Sequence, residues 1–245
     1  MTIENSSVHD YDKNGITVDG NGTVATITAN YVVGIGATPL TAQNGIQVSD
    51  GANGKVTNNT VTDDVYVNPP DCQSSSSCFS ATGILIYDSG GSNLKNLTIS
   101  GNTVSNAQGG IVTFGDPFGN ADYNVVTLNR VTTSPAAGPF LLDGIDLCSN
   151  NNTATSNTVF NSSGSGVHID SQCAEFGGPS GNNTMAKSNV INEACAGVLT
   201  GNGMLNTVSG NVTYNVVATT ASGDICPAGI SGRTLTRLRP SPRRH

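Results

Sequence analysis

Two aspartates and a histidine occupy matched places in two neighbouring segments of the chain. Asp146 follows a Gly-Ile pair, and His168 and Asp170 follow a Gly-Val pair 22 residues later. If the segments stack as adjacent strands, the backbones of Asp146 and Asp170 are roughly 8 Å apart. Two carboxylates at such a distance can act as acid and base in glycoside hydrolysis, and a histidine stacked on an acid has a raised pKa. We therefore take Asp146, His168 and Asp170 as candidate catalytic residues.

Aromatic side chains stand at the equivalent places in the two preceding segments. Tyr87 and Phe114 each lie four residues after the repeated glycine, and seven of the 12 aromatic residues fall between Tyr66 and Phe140. Exposed aromatic faces stack on sugar rings, and nearby carboxylates bind hydroxyl groups or calcium. The pattern predicts a polysaccharide-binding groove with Tyr87 and Phe114 as substrate-binding residues. The alternative is that these aromatics pack under loops.

The segments that position these residues belong to a repeat. A phrase of Gly followed by Ile or Val begins at Gly15, Gly45, Gly83, Gly110, Gly144, Gly166, Gly197 and Gly229. An Asn-x-Val phrase interleaves with it and starts at Asn30, Asn59, Asn102, Asn129 and Asn157, with looser copies at Asn189 and Asn211. Short alternating strands at a minimum period of 22 residues predict a coil of three strands per turn. Stacked turns bury one apolar column, and the asparagines form a hydrogen-bonded ladder.

This pattern resembles the right-handed parallel β-helix proteins, the superfamily of pectate lyases, polygalacturonases and NosD-like proteins. The fold class expected is therefore all-β, a right-handed parallel β-helix solenoid of about eight coils. We expect residues 1–232 to form this single domain, without an N-terminal cap, as a monomer or part of a longer chain. Residues 233–245 are expected to be a basic, poorly ordered tail.

Within that superfamily, the phrase ending in Asp143-Gly144-Ile145-Asp146 looks like a polygalacturonase motif, and the resemblance implies a catalytic acid at Asp143. The next coil departs from the motif, because Gly164 and Ser165 stand where the family has two acids. A standard polygalacturonase is therefore not expected.

A lyase in the same superfamily would need calcium and a basic residue. Arg130 and Lys187 lie in coils near the acids, although on the strands of the asparagine phrase, and we include them as candidate substrate-binding residues. Ca²⁺ is the cofactor that this reading allows.

Charge separates the tail from the rest of the chain. Five of the ten Lys and Arg residues lie in the last 13 positions, so residues 1–232 carry five basic against 17 acidic residues, a net charge of −12. Such an acidic body disfavours a nucleic-acid partner. No apolar run reaches the length of a membrane span.

The six cysteines suggest three disulfides: Cys72–Cys78, Cys148–Cys173 and Cys195–Cys226. Their even number and spacing favour an oxidising compartment, so we expect a secreted, periplasmic or cell-surface protein. Two hypotheses follow. The first is a protein that binds or processes a polysaccharide, including one that contains uronates, as a lyase, a hydrolase or a binding protein. The second is a non-catalytic structural or adhesive β-helix module.

Overall fold

The computed structural model describes residues 1–68, 79–89, 94–115, 119–133, 143–162, 164–171 and 181–226, with the backbone of 239–240. These residues contain 26 strands, all paired in parallel, and no helix. It follows that no described helix has the length and apolar character needed to span a membrane.

The first face of the solenoid is an eight-stranded sheet with one strand for each coil, which confirms the expected number of coils. Its strands, in spatial order, are β1 (Thr2–Glu4), β4 (Val24–Thr28), β7 (Asn53–Thr57), β12 (Thr98–Ser100), β16 (Val125–Thr127), β19 (Thr153–Thr155), β22 (Met185–Lys187) and β24 (Thr207–Ser209).

The second and third faces belong to one larger sheet that bends around a corner. The second face, built on the asparagine phrase, contains β2 (Ser7–His9), β5 (Tyr31–Thr38), β8 (Thr60–Tyr66), β13 (Thr103–Ala107), β17 (Arg130–Thr133) and β20 (Thr158–Phe160). The third face, built on the glycine phrase, contains β3 (Asn14–Asp19), β6 (Asn44–Ser49), β10 (Thr82–Asp88), β14 (Gly109–Gly115), β18 (Ile145–Cys148) and β21 (Val167–Ile169). In the last two coils, β23 (Val190–Thr200) and β25 (Val212–Ser222) continue across the corner and join both faces.

The asparagine ladder expected from the sequence lies at the turn between the first and second faces. Each ladder asparagine donates from its backbone N and its side-chain Nδ2 to the Oδ1 of the next one, at 2.9–3.0 Å in every step from Asn30 to Asn211. The residue before each of these asparagines has a positive φ, including Leu128 at 57°. The ladder thus provides partners for the polar groups of a tight turn that would otherwise be buried without them.

The repeated glycines mark the corner between the second and third faces. A Cβ added at Gly83, Gly110 or Gly144 would lie 2.3–2.4 Å from a valine methyl group of a second-face strand. Wherever another coil follows, a larger residue would clash at this corner, which explains why the phrase begins with glycine. Inside the solenoid, the Val, Ile and Leu residues of the three faces form one continuous core.

The last coil departs from the predicted repeat. Gly229 was expected to begin the eighth glycine phrase, but Thr219 occupies that place: a Cβ at Gly197 would lie 2.6 Å from the Thr219 carbonyl oxygen, as each earlier glycine meets the next one. The step from Gly197 to its equivalent in the final coil is therefore 22 residues. The predicted step to Gly229 is wrong, because the equivalent residue, Thr219, is not a glycine and so is not recognised from the repeat. Gly229 lies outside the described residues.

Two short strand pairs lie outside the three faces. Strand β11 (Leu94–Lys95) pairs with β15 (Ala121–Asp122), and β9 (Phe79–Ser80) pairs with β26 (Arg239–Pro240). Strand β26 also lies against β14 of the third face. At these two positions, the backbone of the basic tail is therefore packed on the solenoid, whereas the rest of 233–245 lies outside the described residues.

A buried carboxyl group stands apart from the outer face. Tyr11 donates a hydrogen bond from its hydroxyl to Asp64 Oδ1 at 2.7 Å, and Asp64 Oδ2 is buried without a hydrogen-bond partner. Burial raises the pKa of Asp64 well above its usual value, and the neighbouring Asp63 raises it further, against the lowering effect of the Tyr11 hydrogen bond. Asp64 therefore favours its protonated form in the folded chain.

Candidate functional site

The outward columns of the third face lie in the register that the glycine phrase predicts. Val112, Asp146, His168 and Leu199 are consecutive Cα partners across four coils. Tyr87 pairs with Phe114, which pairs with Cys148. The sequence therefore places these side chains on the correct face of the correct strands.

The expectation that Tyr87 and Phe114 line an exposed groove is wrong. Both side chains are only 5% exposed, and their rings stack with centroids 5.6 Å apart. They form a second apolar cluster outside the coil with Leu85, Val112 and Cys148. Strand β26 also lies against β14, so a segment distant in sequence borders this outer face.

His168 is the centre of a polar cluster farther along the same face. Its Nδ1 donates to Asp143 Oδ2 at 2.9 Å, and its Nε2 donates to Asp224 Oδ1 at 3.2 Å. The side chain is only 2% exposed. Since both ring nitrogens have carboxylate acceptors, the geometry suits an imidazolium.

Serine residues fix each of these two carboxylates. Asp143 Oδ1 accepts from the backbone N and the hydroxyl of Ser165, at 2.7 and 2.6 Å. Asp224 accepts from the backbone N of Ser171 at 3.0 Å and from its hydroxyl at 2.7 Å. Gly201 allows this approach, because a Cβ there would lie 2.2 Å from Asp224 Oδ1.

The surroundings favour the protonated form of His168 and the ionised forms of Asp143 and Asp224. Burial lowers the pKa of His168, but the charge and hydrogen bond of Asp143 and the bond to Asp224 outweigh it and raise that pKa to about 9. Burial raises the pKa values of Asp143 and Asp224, whereas His168 and the serine donors lower them below the usual range. At neutral pH, the cluster is therefore an imidazolium between two carboxylates.

Asp146 and Asp170 complete the cluster. The Oδ2 atom of Asp170 lies 3.9 Å from His168 Nδ1 and 3.6 Å from Cys148 Sγ. Asp146 and Asp170 are both buried, and a carboxylate oxygen of each comes within 4.8 Å of the other. The two carboxylates are thus closer to each other than the roughly 8 Å expected between their backbones.

Calcium does not fit the described residues of this cluster. Ca²⁺ takes six to eight oxygen ligands. One group of three close side chains includes the sulfur of Cys148, which is in a disulfide. The other group includes His168, whose two ring nitrogens already donate to carboxylates. The arrangement is that of an ion-pair network.

Arg130 and Lys187 lie on other faces of the solenoid. Arg130, on the second face, is exposed, and its guanidinium lies 4.7 Å from the centre of the Phe160 ring. Lys187 is exposed on the first face, in register with Thr155 and Ser209. The structure does not bring either residue onto the strands that carry Asp146 and His168.

Asp224 was not predicted as a site residue. With the last glycine phrase expected at Gly229, Asp224 would precede the third-face strand of that coil, whereas it follows β25. A disulfide joins Cys195 to Cys226, with 5.7 Å between their Cα atoms, as predicted. The predicted reason was an equivalent position in adjacent coils, yet Cys226 follows β25 and reaches Cys195 from the end of the last coil. Cys148 is also disulfide-bonded. Its expected partner Cys173 and the pair Cys72–Cys78 lie outside the described residues.

Comparison with known proteins agrees with the architecture. The family model described as a right-handed β-helix region matches residues 14–213. No curated protein and no solved structure matches the chain.

Proposed function

The chain belongs to the family of right-handed β-helix proteins, and from that premise we propose that it is an extracytoplasmic protein that binds a polysaccharide without cleaving it. The observation that carries this proposal is a cluster of four aspartates around His168. Asp143 and Asp224 accept hydrogen bonds from its ring and Asp170 lies 3.9 Å from Nδ1, while Asp146 is its Cα partner on the neighbouring strand. Carboxylates accept hydrogen bonds from sugar hydroxyls.

The part of the third face around Asp143 and His168 is the proposed contact for the polymer. The Asp143 side chain is 15% exposed, more than that of Asp224 or His168 in the same network. Tyr87 and Phe114 are buried beneath other groups, so we leave them, Arg130 and Lys187 out of the proposed contact.

Binding is favoured over cleavage by the protonation states. Acid–base hydrolysis needs one protonated acid that can reach the leaving group and one carboxylate that is free to activate water. Asp143 and Asp224 have lowered pKa values and are both bonded to His168 and to a serine. Both protons of the imidazolium are donated within the network, so His168 has no proton directed at a substrate.

The disulfide between Cys195 and Cys226 supports the location. Disulfides persist in oxidising compartments and are rare where glutathione and thioredoxin keep thiols reduced. We therefore propose secretion, the periplasm or the cell surface as the site of action.

The test is affinity electrophoresis in gels that contain neutral or uronate polysaccharides, combined with an assay for new reducing ends, with and without calcium. We expect retardation by at least one polymer, no new reducing ends and no effect of a chelator. Asp143→Asn should weaken retardation, whereas the matched control Lys55→Gln, on the first face, should leave it unchanged. New reducing ends would contradict binding without cleavage.

A rigid structural module is the second candidate. The burial of Tyr87, Phe114 and His168 favours it, because side chains at 2–5% exposure stabilise the coil stack without reaching a ligand. If no polymer in the panel retards the folded protein, this second function replaces the first.

A further inference from the structure

The described chain after β25 is a short turn that ends in a covalent bond. Asp224 lies two residues after that strand, and Cys226 follows it by two residues. We propose that the Cys195–Cys226 disulfide is a positioning element that holds this turn so that Asp224 stays on His168. The proposal does not depend on polysaccharide binding.

The turn has few other contacts that could hold it. In the described chain, only one neighbouring coil borders this last one, and Ile225 is 59% exposed. A backbone hydrogen bond of the turn runs from Gly223 N to the Thr200 carbonyl oxygen at 2.7 Å. Beyond that bond, the Asp224 side chain and the disulfide attach the turn to the solenoid.

Cys195 provides a firm anchor for the disulfide. Its side chain is 1% exposed and packs in a cluster with Ala196 and Leu199, against which Ala221 and Cys226 lie. Cys195 belongs to β23, which pairs with strands on both sides. The bond therefore ties an exposed turn to one of the most completely paired strands.

The position of Asp224 leaves little tolerance for movement. Its Oδ1 accepts from His168 Nε2 and from Ser171 N, and its Oδ2 accepts from the Ser171 hydroxyl. No side chain could replace Gly201 without displacing it. A shift of the turn by about 1 Å would lengthen these bonds beyond hydrogen-bonding distance.

Cleavage of the disulfide should release the turn. A dithiol reductant supplies two electrons and two protons, which convert the bond into the thiols of Cys195 and Cys226 while the reductant becomes a cyclic disulfide. Asp224 then leaves Nε2, whereas Asp143 keeps Nδ1. Of the carboxylates that face the ring, Asp143, Asp146 and Asp170 remain on strands or turns within the stack, so the change is confined to one acceptor.

The readout is the pKa of His168, followed by NMR of the imidazole ring across pH. The chain has three histidines, so the imidazole region of its spectrum is simple. We would compare the wild type with Cys195→Ala/Cys226→Ser, with Asp224→Asn and with the combination of all three changes. Loss of the Asp224 bond lowers the pKa of His168 from about 9.

We expect the disulfide variant and Asp224→Asn to lower the His168 pKa by similar amounts, and the combined variant to lower it no further. If Asp224→Asn lowers the His168 pKa and the disulfide variant does not, the proposal is overturned, because the turn then holds its place without the disulfide. No shift in either variant would overturn it too, and so would additive shifts. If the double cysteine variant does not fold, the single change Cys226→Ala, which leaves the buried Cys195 in place, gives the same comparison with Asp224→Asn.

Discussion

Replacement of Asn129 by alanine tests the ladder at its centre. The Asn129 side chain makes four hydrogen bonds: Nδ2 donates to Asn157 Oδ1 and to the Ile99 carbonyl, and Oδ1 accepts from the backbone and side chain of Asn102. A buried hydrogen bond contributes a net ~1 kcal/mol. We therefore expect Asn129→Ala to lower the free energy of unfolding by about 4 kcal/mol, since no described group replaces these bonds.

Asn211 at the end of the ladder is the matched control. Its side chain makes three of these bonds, to the Ala186 carbonyl and from the backbone and side chain of Asn189, and it is half-buried, so water can replace them. The loss for Asn211→Ala should be about 1–2 kcal/mol. Urea unfolding followed by circular dichroism measures both, with hydrogen exchange at the Asn102 amide as a local probe. Equal losses at the two positions, or a loss below about 1 kcal/mol at Asn129, would refute the reasoning.

Three further predictions concern single groups. Asp64→Asn should become more stabilising as pH rises above 3.8, by about 1.4 kcal/mol per pH unit up to the raised folded pKa. The reason is that the folded chain keeps a proton that the unfolded chain releases; a flat pH dependence of the difference in urea unfolding would contradict this. For His168, whose folded pKa is raised to about 9, the stabilisation is complete below 6.5 and is lost as pH rises through 9. The difference in unfolding free energy between wild type and His168→Gln should therefore shrink over that window, and a constant difference would count against an imidazolium. Leu128→Asn should raise the melting temperature and the free energy of unfolding by about 1 kcal/mol, because Leu128 is 65% exposed at a positive φ that asparagine adopts more easily; unchanged stability would mean that the turn carries no strain.

The repeat in the sequence predicts the stacked coils of this protein well. The glycine phrase reflects a corner without room for a Cβ, and the asparagine phrase reflects a turn whose polar groups need partners. Both requirements recur wherever one coil stacks on the next, so the chain repeats the residues that satisfy them. The register that brings Asp146 beside His168 follows directly.

Exposure on the outer face could not be predicted in the same way. Tyr87 and Phe114 look like surface residues from their place in the repeat, but what lies over a strand is decided by segments outside the repeat. Strand β26, more than 100 residues after Phe114 in the chain, carries no phrase that would announce its position. Asp224 was missed for a related reason: Thr219 holds the glycine position without being glycine.

The number of residues between successive ladder asparagines varies from coil to coil, because some coils contain inserted segments, here called excursions. Asn189 and Asn211 are 22 residues apart and Asn59 and Asn102 are 43 apart, yet both pairs make the same bonds at 2.9–3.0 Å. The length of chain between two rungs therefore does not affect the geometry of the rungs. A peptide grafted into one of these excursions would be displayed at a fixed height on the rod, and several grafts could be spaced along it in steps of about 4.8 Å.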